Sequence, residues 1–206
     1  MKKILIADDH NIVRTGLIFL IKGEYLQVEI DECKDGNCVW EKIQISEYDL
    51  LILDISMPGT DTFTLLKKIF ILRPSQKILI LTMSSEEVYA KKYLQLGVKG
   101  FINKEAPPSE IRHAIVSILN NKRYISSKMK DTLTREVLEG GSKSLFDTLS
   151  PRELEIMNHL LDGKNVSEIA DMLSVHISTI STHKANIMHK LGVTNIIELS
   201  KMVQMF

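Results

Sequence analysis

Cysteine is nearly absent from this chain: Cys33 and Cys38 are the only two in 206 residues. Two cysteines are too few for a disulfide framework, and without a nearby histidine pair they make a poor zinc site. Both are therefore expected as reduced structural thiols. Net charge is absent as well, since 26 basic and 26 acidic side chains cancel. That removes any bulk electrostatic argument for nucleic acid or for a membrane surface as partner. No apolar stretch is long enough to cross a bilayer, so no membrane is expected. The run after Met1-Lys2-Lys3 reaches Asp8 too soon to form a signal-peptide core, and a cytoplasmic location is the expectation. No internal repeat is visible.

Short apolar runs that end in chemically capable residues are plentiful. Ile4-Leu5-Ile6-Ala7 leads into Asp8-Asp9, and Leu50-Leu51-Ile52-Leu53 into Asp54. Ile78-Leu79-Ile80-Leu81 leads into Thr82, and Gly100-Phe101-Ile102-Asn103 into Lys104. Between these runs lie stretches of helical periodicity at 10–22, 36–45, 62–72, 86–95 and 109–120. Strands are expected at 3–7, 28–32, 50–53, 77–81 and 100–102. Strands alternating with helices imply right-handed crossovers and a parallel sheet. The near-continuous Ile/Leu runs fit a sheet covered on both faces. The more polar 28–32 belongs at an edge. The expected fold is therefore α/β, a doubly wound five-stranded parallel sheet, followed by a small all-α domain.

Ligand sites in open α/β sheets lie at the C-terminal ends of the strands. Three carboxylates, a hydroxyl and an ammonium would meet there. An aspartate can attack phosphorus and form an acyl phosphate, and Asp54, at the end of the most apolar central run, is the candidate. A divalent cation, Mg²⁺, would offset charge on the phosphoryl oxygens. Asp8, Asp9, Asp54 and the backbone carbonyl of Ser56 are oxygen ligands of the kind it takes. Lys104 can pair with a phosphate oxygen, and the Thr82 hydroxyl can donate to another. Each residue also has a plain structural reading. Asp8 or Asp9 can cap a helix at His10, Asp54 the turn before Pro58, Thr82 or Ser84 the helix at Glu86, and Lys104 can be solvated. The recurrence of the pattern at four successive strand ends favours the site.

Asp8-Asp9-His10, Asp54 with Met57-Pro58, Leu81-Thr82-Met83 and Gly100-Phe101 with Lys104 resemble the receiver domain of two-component response regulators. The resemblance implies a flavodoxin-like receiver, phosphorylated on Asp54 by a histidine kinase. It also implies Mg²⁺ at Asp8 and Asp9, and Thr82 and Phe101 as a switch pair. The chain departs from the pattern at Thr62, where the family usually has Gly. It departs again at Glu105, where a proline often follows the lysine, so no cis peptide is expected there. Ser56 and Ser84 stand where the family tunes dephosphorylation.

Residues 1–121 form the expected receiver, 122–147 a linker with a helix around 131–138 and a flexible break at 140–144, and 148–206 an all-helical domain. Ser150-Pro151-Arg152-Glu153 carries a helix start, with serine cap, proline and glutamate. Helices are expected at 166–173, 177–191 and 196–205, with a turn at 174–176. Two helices across a short turn fit a helix-turn-helix. On the second, Ile177, Ile180, Ile187, Met188 and Leu191 share an apolar face. Ser178, Thr182, Ala185 and His189 lie opposite, flanked by Ser181 and Asn186. Such a polar face suits the major groove of double-stranded DNA. On the helices alone, a small structural bundle with a polar face remains the plainer reading. Against DNA binding, residues 148–206 carry five basic and six acidic side chains, so dimerisation or the basic linker would have to compensate.

Leu149-Ser150-Pro151-Arg152-Glu153, Ile169-Ala170, residues 178–183 and Lys190-Leu191-Gly192-Val193 resemble the LuxR-type output domain. The whole chain is thus similar to the NarL/FixJ class of response regulators. That implies a homodimer when active and phosphorylation-controlled DNA binding that regulates transcription, with Ser178, Ser181, Thr182, Lys184, Ala185 and Lys190 as the expected DNA contacts. Many members carry Lys where this chain has Ser181. An enzymatic alternative is a phosphatase of the dehalogenase class, which also uses Asp, Mg²⁺ and Lys. That class needs Asp-x-Asp after the first strand and an acid two residues past the nucleophile. Here Asp8 and Asp9 are adjacent, and the residue after Ile55 is Ser56. A phosphate-independent DNA binder is the third reading.

Overall fold

The computed structural model describes residues 1–138, 145–173 and 175–204. Its contacts divide the chain into two units, one of residues 1–83 with 93–126, the other of 84–92 with 127–206. Among the described residues no helix is long and apolar enough to cross a membrane.

The first unit is built on five strands: β1 (Lys2–Ala7), β2 (Val28–Cys33), β3 (Leu50–Leu53), β4 (Ile78–Thr82) and β5 (Gly100–Asn103). They pair in parallel in the order β2-β1-β3-β4-β5. Helices α1 (Asn11–Glu24), α2 (Gly36–Ile45), α3 (Thr62–Leu72), α4 (Glu86–Leu96) and α5 (Pro108–Leu119) alternate with them along the chain, residues 86–92 of α4 counting with the second unit. The period-2 geometry of a strand divides each apolar run between two cores. Ile4, Ile6, Leu50, Ile52, Leu79, Leu81 and Ile102 pack with Leu17 and Ile21 of α1 and Ile111, Ile115 and Ile118 of α5. Leu5, Leu51, Leu53, Ile78 and Ile80 alternate with them in the strands, and are buried like Val39 and Ile43 of α2 and Leu65, Leu66 and Ile69 of α3. Both faces being covered, the interior strands are apolar through their middles, with polar residues only at their ends, Lys2 and Lys3 in β1 and Thr82 in β4. β2, at the edge, carries Glu29, Asp31 and Glu32.

Local chemistry sets the helix ends. Asp35 accepts from Cys38 N at 2.9 Å and starts α2, and Asp61 accepts from Thr64 N at 2.8 Å and starts α3. Between β3 and α3, Thr60 N donates to Met57 O at 3.2 Å. Pro58 and Gly59 occupy the centre of that turn, and Gly59 has φ +66°. This is the type II arrangement, in which the second central residue must take the left-handed conformation that glycine adopts without strain. Among the described residues no peptide bond is cis, Lys104–Glu105 included.

One expectation is overturned here. Cys33 and Cys38 are not reduced thiols but a disulfide, with Cα atoms 5.5 Å apart. Cys33 ends β2 and Cys38 lies in the first turn of α2. The tight turn capped by Asp35 folds the chain back and brings the two side chains together. Cysteine counts carry no information about that turn.

The second unit contains α6 (Ser127–Leu138), a 3-10 turn (Leu145–Thr148), α7 (Pro151–Leu161), α8 (Val166–Met172), α9 (Ile177–Leu191) and α10 (Ile196–Gln204). α6 begins four residues before the expected helix, and Met129 in its first turn is buried. The expected break at 140–144, and residues 174 and 205 of the expected turn and last helix, lie outside the described residues. Reciprocal capping boxes open α7 (Ser150 with Glu153) and α8 (Asn165 with Glu168). Gly192, at φ +68°, ends α9. Ile156, Met157, Ile169, Ile180, Ile187 and Leu199 are fully buried and form the core of α7 to α10.

Candidate functional site

The strand order places a topological switch between β1 and β3. The chain leaves β1 toward β2 on one side and continues through β3 to β5 on the other. A crevice at the carboxyl ends of β1 and β3 is the expected result. Ala7 and Leu53 are register partners, so Asp8 and Asp54 follow side by side. The ladder continues past the strands and fixes their backbones. Asp54 N donates to Ala7 O at 2.9 Å, Asp8 N to Cys33 O at 3.1 Å, and Lys104 N to Thr82 O at 2.9 Å.

Asp8 and Asp54 are 2 % and 3 % exposed. The Lys104 ammonium stands between them, 2.7 Å from Asp8 Oδ2 and 2.6 Å from Asp54 Oδ2. Burial works against charge on that lysine. The Asp54 carboxylate, with the hydrogen bonds to Asp54 and Asp8, outweighs burial and raises Lys104 above its ordinary range. Asp8 Oδ1 accepts from His10 N at 2.9 Å, and Asp54 Oδ1 accepts from Ser56 N at 3.1 Å. Both carboxylates therefore hold a backbone N–H two residues on with one oxygen and direct the other at the lysine, while α1 itself has His10 at its N-cap and no side-chain cap.

Asp9 is different. Its Oδ1 is buried and has no hydrogen-bond partner. His10 Nδ1 lies 2.9 Å away, but not in hydrogen-bond geometry. An orphaned carboxylate oxygen beside two buried carboxylates is costly without a cation. Asp8, Asp9 and His10 bring ligand atoms within 4.8 Å of one another. The donor set of Asp8, Asp9, Asp54 and the Ser56 carbonyl suits a hard, oxygen-seeking ion.

Thr82 is fully buried at the end of β4. Phe101 on β5 is buried too, its ring 5.9 Å from that of Tyr93, which in turn meets Phe63 edge-on at 5.8 Å. Thr62 donates its hydroxyl to Ile55 O at 3.2 Å, a tie across the loop after Asp54 that a glycine could not make. Arg14 is a residue that sequence reasoning missed. Its Nη1 donates to Asp8 O and its Nε to Glu32 Oε2, both at 2.8 Å. It holds the backbone of Asp8 rather than its charge, and nothing in the sequence marks it out.

In the second unit, Ser178, Ser181, Thr182 and Ala185 are exposed on α9, with Lys184 half-buried. Thr182 donates its hydroxyl to Ser178 O at 2.9 Å. Ile180, Ile187 and Leu191 face the core as expected, but Ile177, at the helix start, is 53 % exposed and stands beside Ser178. Lys190 is not a free ammonium. It lies 2.7 and 2.8 Å from the Glu153 carboxylate on α7, which is held below its usual range: Lys190 and Ser150 hydrogen bonds overcome its burial. The structure thus places Lys190 in an ion pair of the domain's frame.

Residues 4–116 match the response regulator receiver domain, and residues 147–203 match the bacterial regulatory proteins of the luxR family. The chain is 36 % identical over 204 residues to the oxygen regulatory protein NreC of Staphylococcus carnosus, covering 96 % of this chain and 94 % of that one. It is 35 % identical over 198 residues to the Fimbriae Z protein of Salmonella typhimurium, covering 95 % and 93 %. Among solved structures, RcsB from Salmonella enterica serovar Typhimurium, bound to promoter P1flhDC with the phosphomimetic BeF3−, aligns with a TM-score of 0.78. The identity there is 29 %, and 100 % of this chain and 99 % of RcsB are covered. The chain therefore belongs to the response regulators, with a receiver domain followed by a regulatory domain of the luxR family.

Proposed function

We propose that the chain is a phosphorylation-controlled transcriptional regulator, with its receiver in 1–121, a linker in 122–147 and a DNA-binding domain in 148–206. The observation that carries the reading is the Lys104 ammonium clamped between Asp8 and Asp54 at the switch point of the sheet. A histidine kinase is the donor. An Asp54 oxygen bonds to phosphorus as the phosphohistidine P–N bond breaks. Asp8, Asp9, Asp54 and the Ser56 carbonyl would hold Mg²⁺, whose chemistry is to offset charge on the phosphoryl oxygens. Lys104 exchanges its contact with Asp54 Oδ2 for a phosphoryl oxygen. Thr82 donates its hydroxyl to another, and Phe101 fills the space the threonine side chain leaves. New contacts in one state shift the population toward it.

The output is a homodimer on double-stranded DNA, in the cytoplasm. Ser178, Ser181, Thr182 and Ala185 read the major groove, and Lys184 reaches a phosphate with its amine. The exposed Ile177 adds an apolar contact of the kind a thymine methyl offers. Lys190 supports this face through Glu153. RcsB, the relative solved on a promoter, supports the reading. The test is phosphoryl uptake from a small phosphodonor with Mg²⁺, followed by selection of bound sequences from random DNA. The chain takes up phosphate and selects a sequence more strongly when phosphorylated; Asp54→Ala and a chelator each abolish the uptake. Uptake by Asp54→Ala sinks the assignment of the aspartate. Equal DNA affinity in both states sinks the control.

A further inference from the structure

The disulfide lies in a segment that is tied to both halves of the phosphoryl site. Cys33 O accepts from Asp8 N at 3.1 Å. Three residues on, Gly36 N donates to the buried Thr60 Oγ1 at 2.8 Å, and Thr60 belongs to the loop that follows Asp54. The bond between Cys33 and Cys38 closes the segment that joins these two anchors. Arg14 adds a third tie, from Glu32 to the carbonyl of Asp8. We infer that Cys33 and Cys38 form a reversible redox latch that sets how readily Asp54 accepts a phosphoryl group. The inference rests on the reading of Asp54 given above.

Three observations support it. A regulator of DNA works where thiols are kept reduced, and disulfides in that compartment are transient and redox-sensing rather than structural. The pair is accessible from one side only, since Cys33 is 3 % exposed and Cys38 half-buried next to exposed Asn37. The segment it closes is short, so its contribution to global stability is small. Its effect is therefore local, on the segment that carries both anchors.

The chemistry is dithiol exchange. A thiolate of a small or protein dithiol bonds to Cys38 Sγ, the Cys33–Cys38 bond breaks, and Cys33 leaves as a thiolate that takes a proton. The second thiol of the donor then displaces Cys38 from the mixed disulfide. The protein gains two electrons and two protons, and the donor becomes the disulfide. Once open, residues 34–37 regain conformational freedom. The Asp8 backbone and the loop after Asp54 lose a shared brace, and a less organised site reacts more slowly.

The test uses the full chain, alkylation followed by mass measurement, and acetyl phosphate with Mg²⁺. Treated with oxidised dithiol, the chain resists alkylation; after reduction it takes two labels. The oxidised chain is phosphorylated about fivefold faster or more than the reduced chain, the low end of coupling between sites. Cys38→Ser and Cys38→Ala, each checked for fold by far-UV circular dichroism, keep the slow rate under both treatments. Two labels after oxidation, or equal rates in all forms, overturn the latch while leaving Asp54 standing. No uptake in any form overturns both.

Discussion

His159 gives the domain of α7 to α10 a dependence on pH that can be worked out in advance. The imidazole is 5 % exposed, with Nδ1 3.2 Å from Lys164 Nζ. An ammonium can only donate, so Nδ1 accepts and the proton sits on Nε2. Burial, and then the charges of Lys164 and Arg152, lower its pKa from 6.5 to about 4. Above 6.5 the residue is neutral whether the domain is folded or not, and pH has no leverage through it. Below 6.5 the unfolded chain binds a proton that the folded chain refuses. Stability therefore falls as pH drops, until the folded imidazole also titrates near 4. The full fall from 6.5 to about 4 amounts to about 3 kcal/mol. Glu153 and Glu198, both held below their ordinary 4.5, add losses only at lower pH.

Residues 148–206 contain neither tryptophan nor tyrosine, so fluorescence has no reporter within these residues. Amide hydrogen exchange of α7 and α9 reports on them. Protection should decline steadily from pH 6.5 toward 4.5 after correction for intrinsic exchange. His159→Gln, whose amide oxygen can still accept from Lys164, should flatten the profile. A wild-type profile that is level over this range, or a Gln variant with the same slope, would refute the reasoning.

Further outcomes follow from particular contacts. Glu153→Ala removes both the cap on Ser150 N and the partner of Lys190, and should cost about 2 kcal/mol by urea unfolding read in the far ultraviolet. Glu153→Gln keeps the cap and should cost about half of that, about 1 kcal/mol. In the receiver, a Cβ on Gly36 would stand 2.4 Å from Thr60 Cγ2, so Gly36→Ala should destabilise by about 1–3 kcal/mol, read through Trp40 fluorescence. Adding Thr60→Ser removes the clashing methyl and keeps the hydroxyl, and should restore most of the loss. An Ala variant as stable as the parent would show that the α2–α3 packing yields freely.

The sequence was most legible where one force dominates. β3, α2, α3 and α9 have the ends expected from their apolar runs, and in the three helices the structure shows Asp35, Asp61 and Gly192 setting an end within one turn. The edge position of β2 followed from its acidic residues. Asp8, Asp54 and Lys104 came together because strand ends in a parallel sheet converge by topology. What stayed hidden depends on long-range or conformational partners. Lys190 looked like a surface cation, yet its partner lies 37 residues earlier. Arg14 acts on a backbone atom. Ile177 carries the periodicity of a core residue but begins its helix and stays half outside. Cys33 and Cys38 were judged by number, whereas their bond is decided by the turn between them.

The ion pairs also change what the near-neutral charge of the second domain means. Three of the five basic side chains in 148–206 have acidic neighbours: Arg152 meets Glu155 at 2.6 Å, Lys190 meets Glu153 at 2.7 Å, and Lys164 meets Asp162 at 3.8 Å. On α9 that leaves Lys184, which the proposed reading gives to a phosphate. Counterion release scales with the number of phosphates neutralised, so one copy of this domain has little sequence-independent hold on DNA. On the proposed reading, that weakness suits the control. With little phosphate affinity per copy, a stable complex needs two recognition helices on paired half-sites. Whatever brings two copies together then governs occupancy, and a phosphoryl group on Asp54 can do so without altering a single DNA contact.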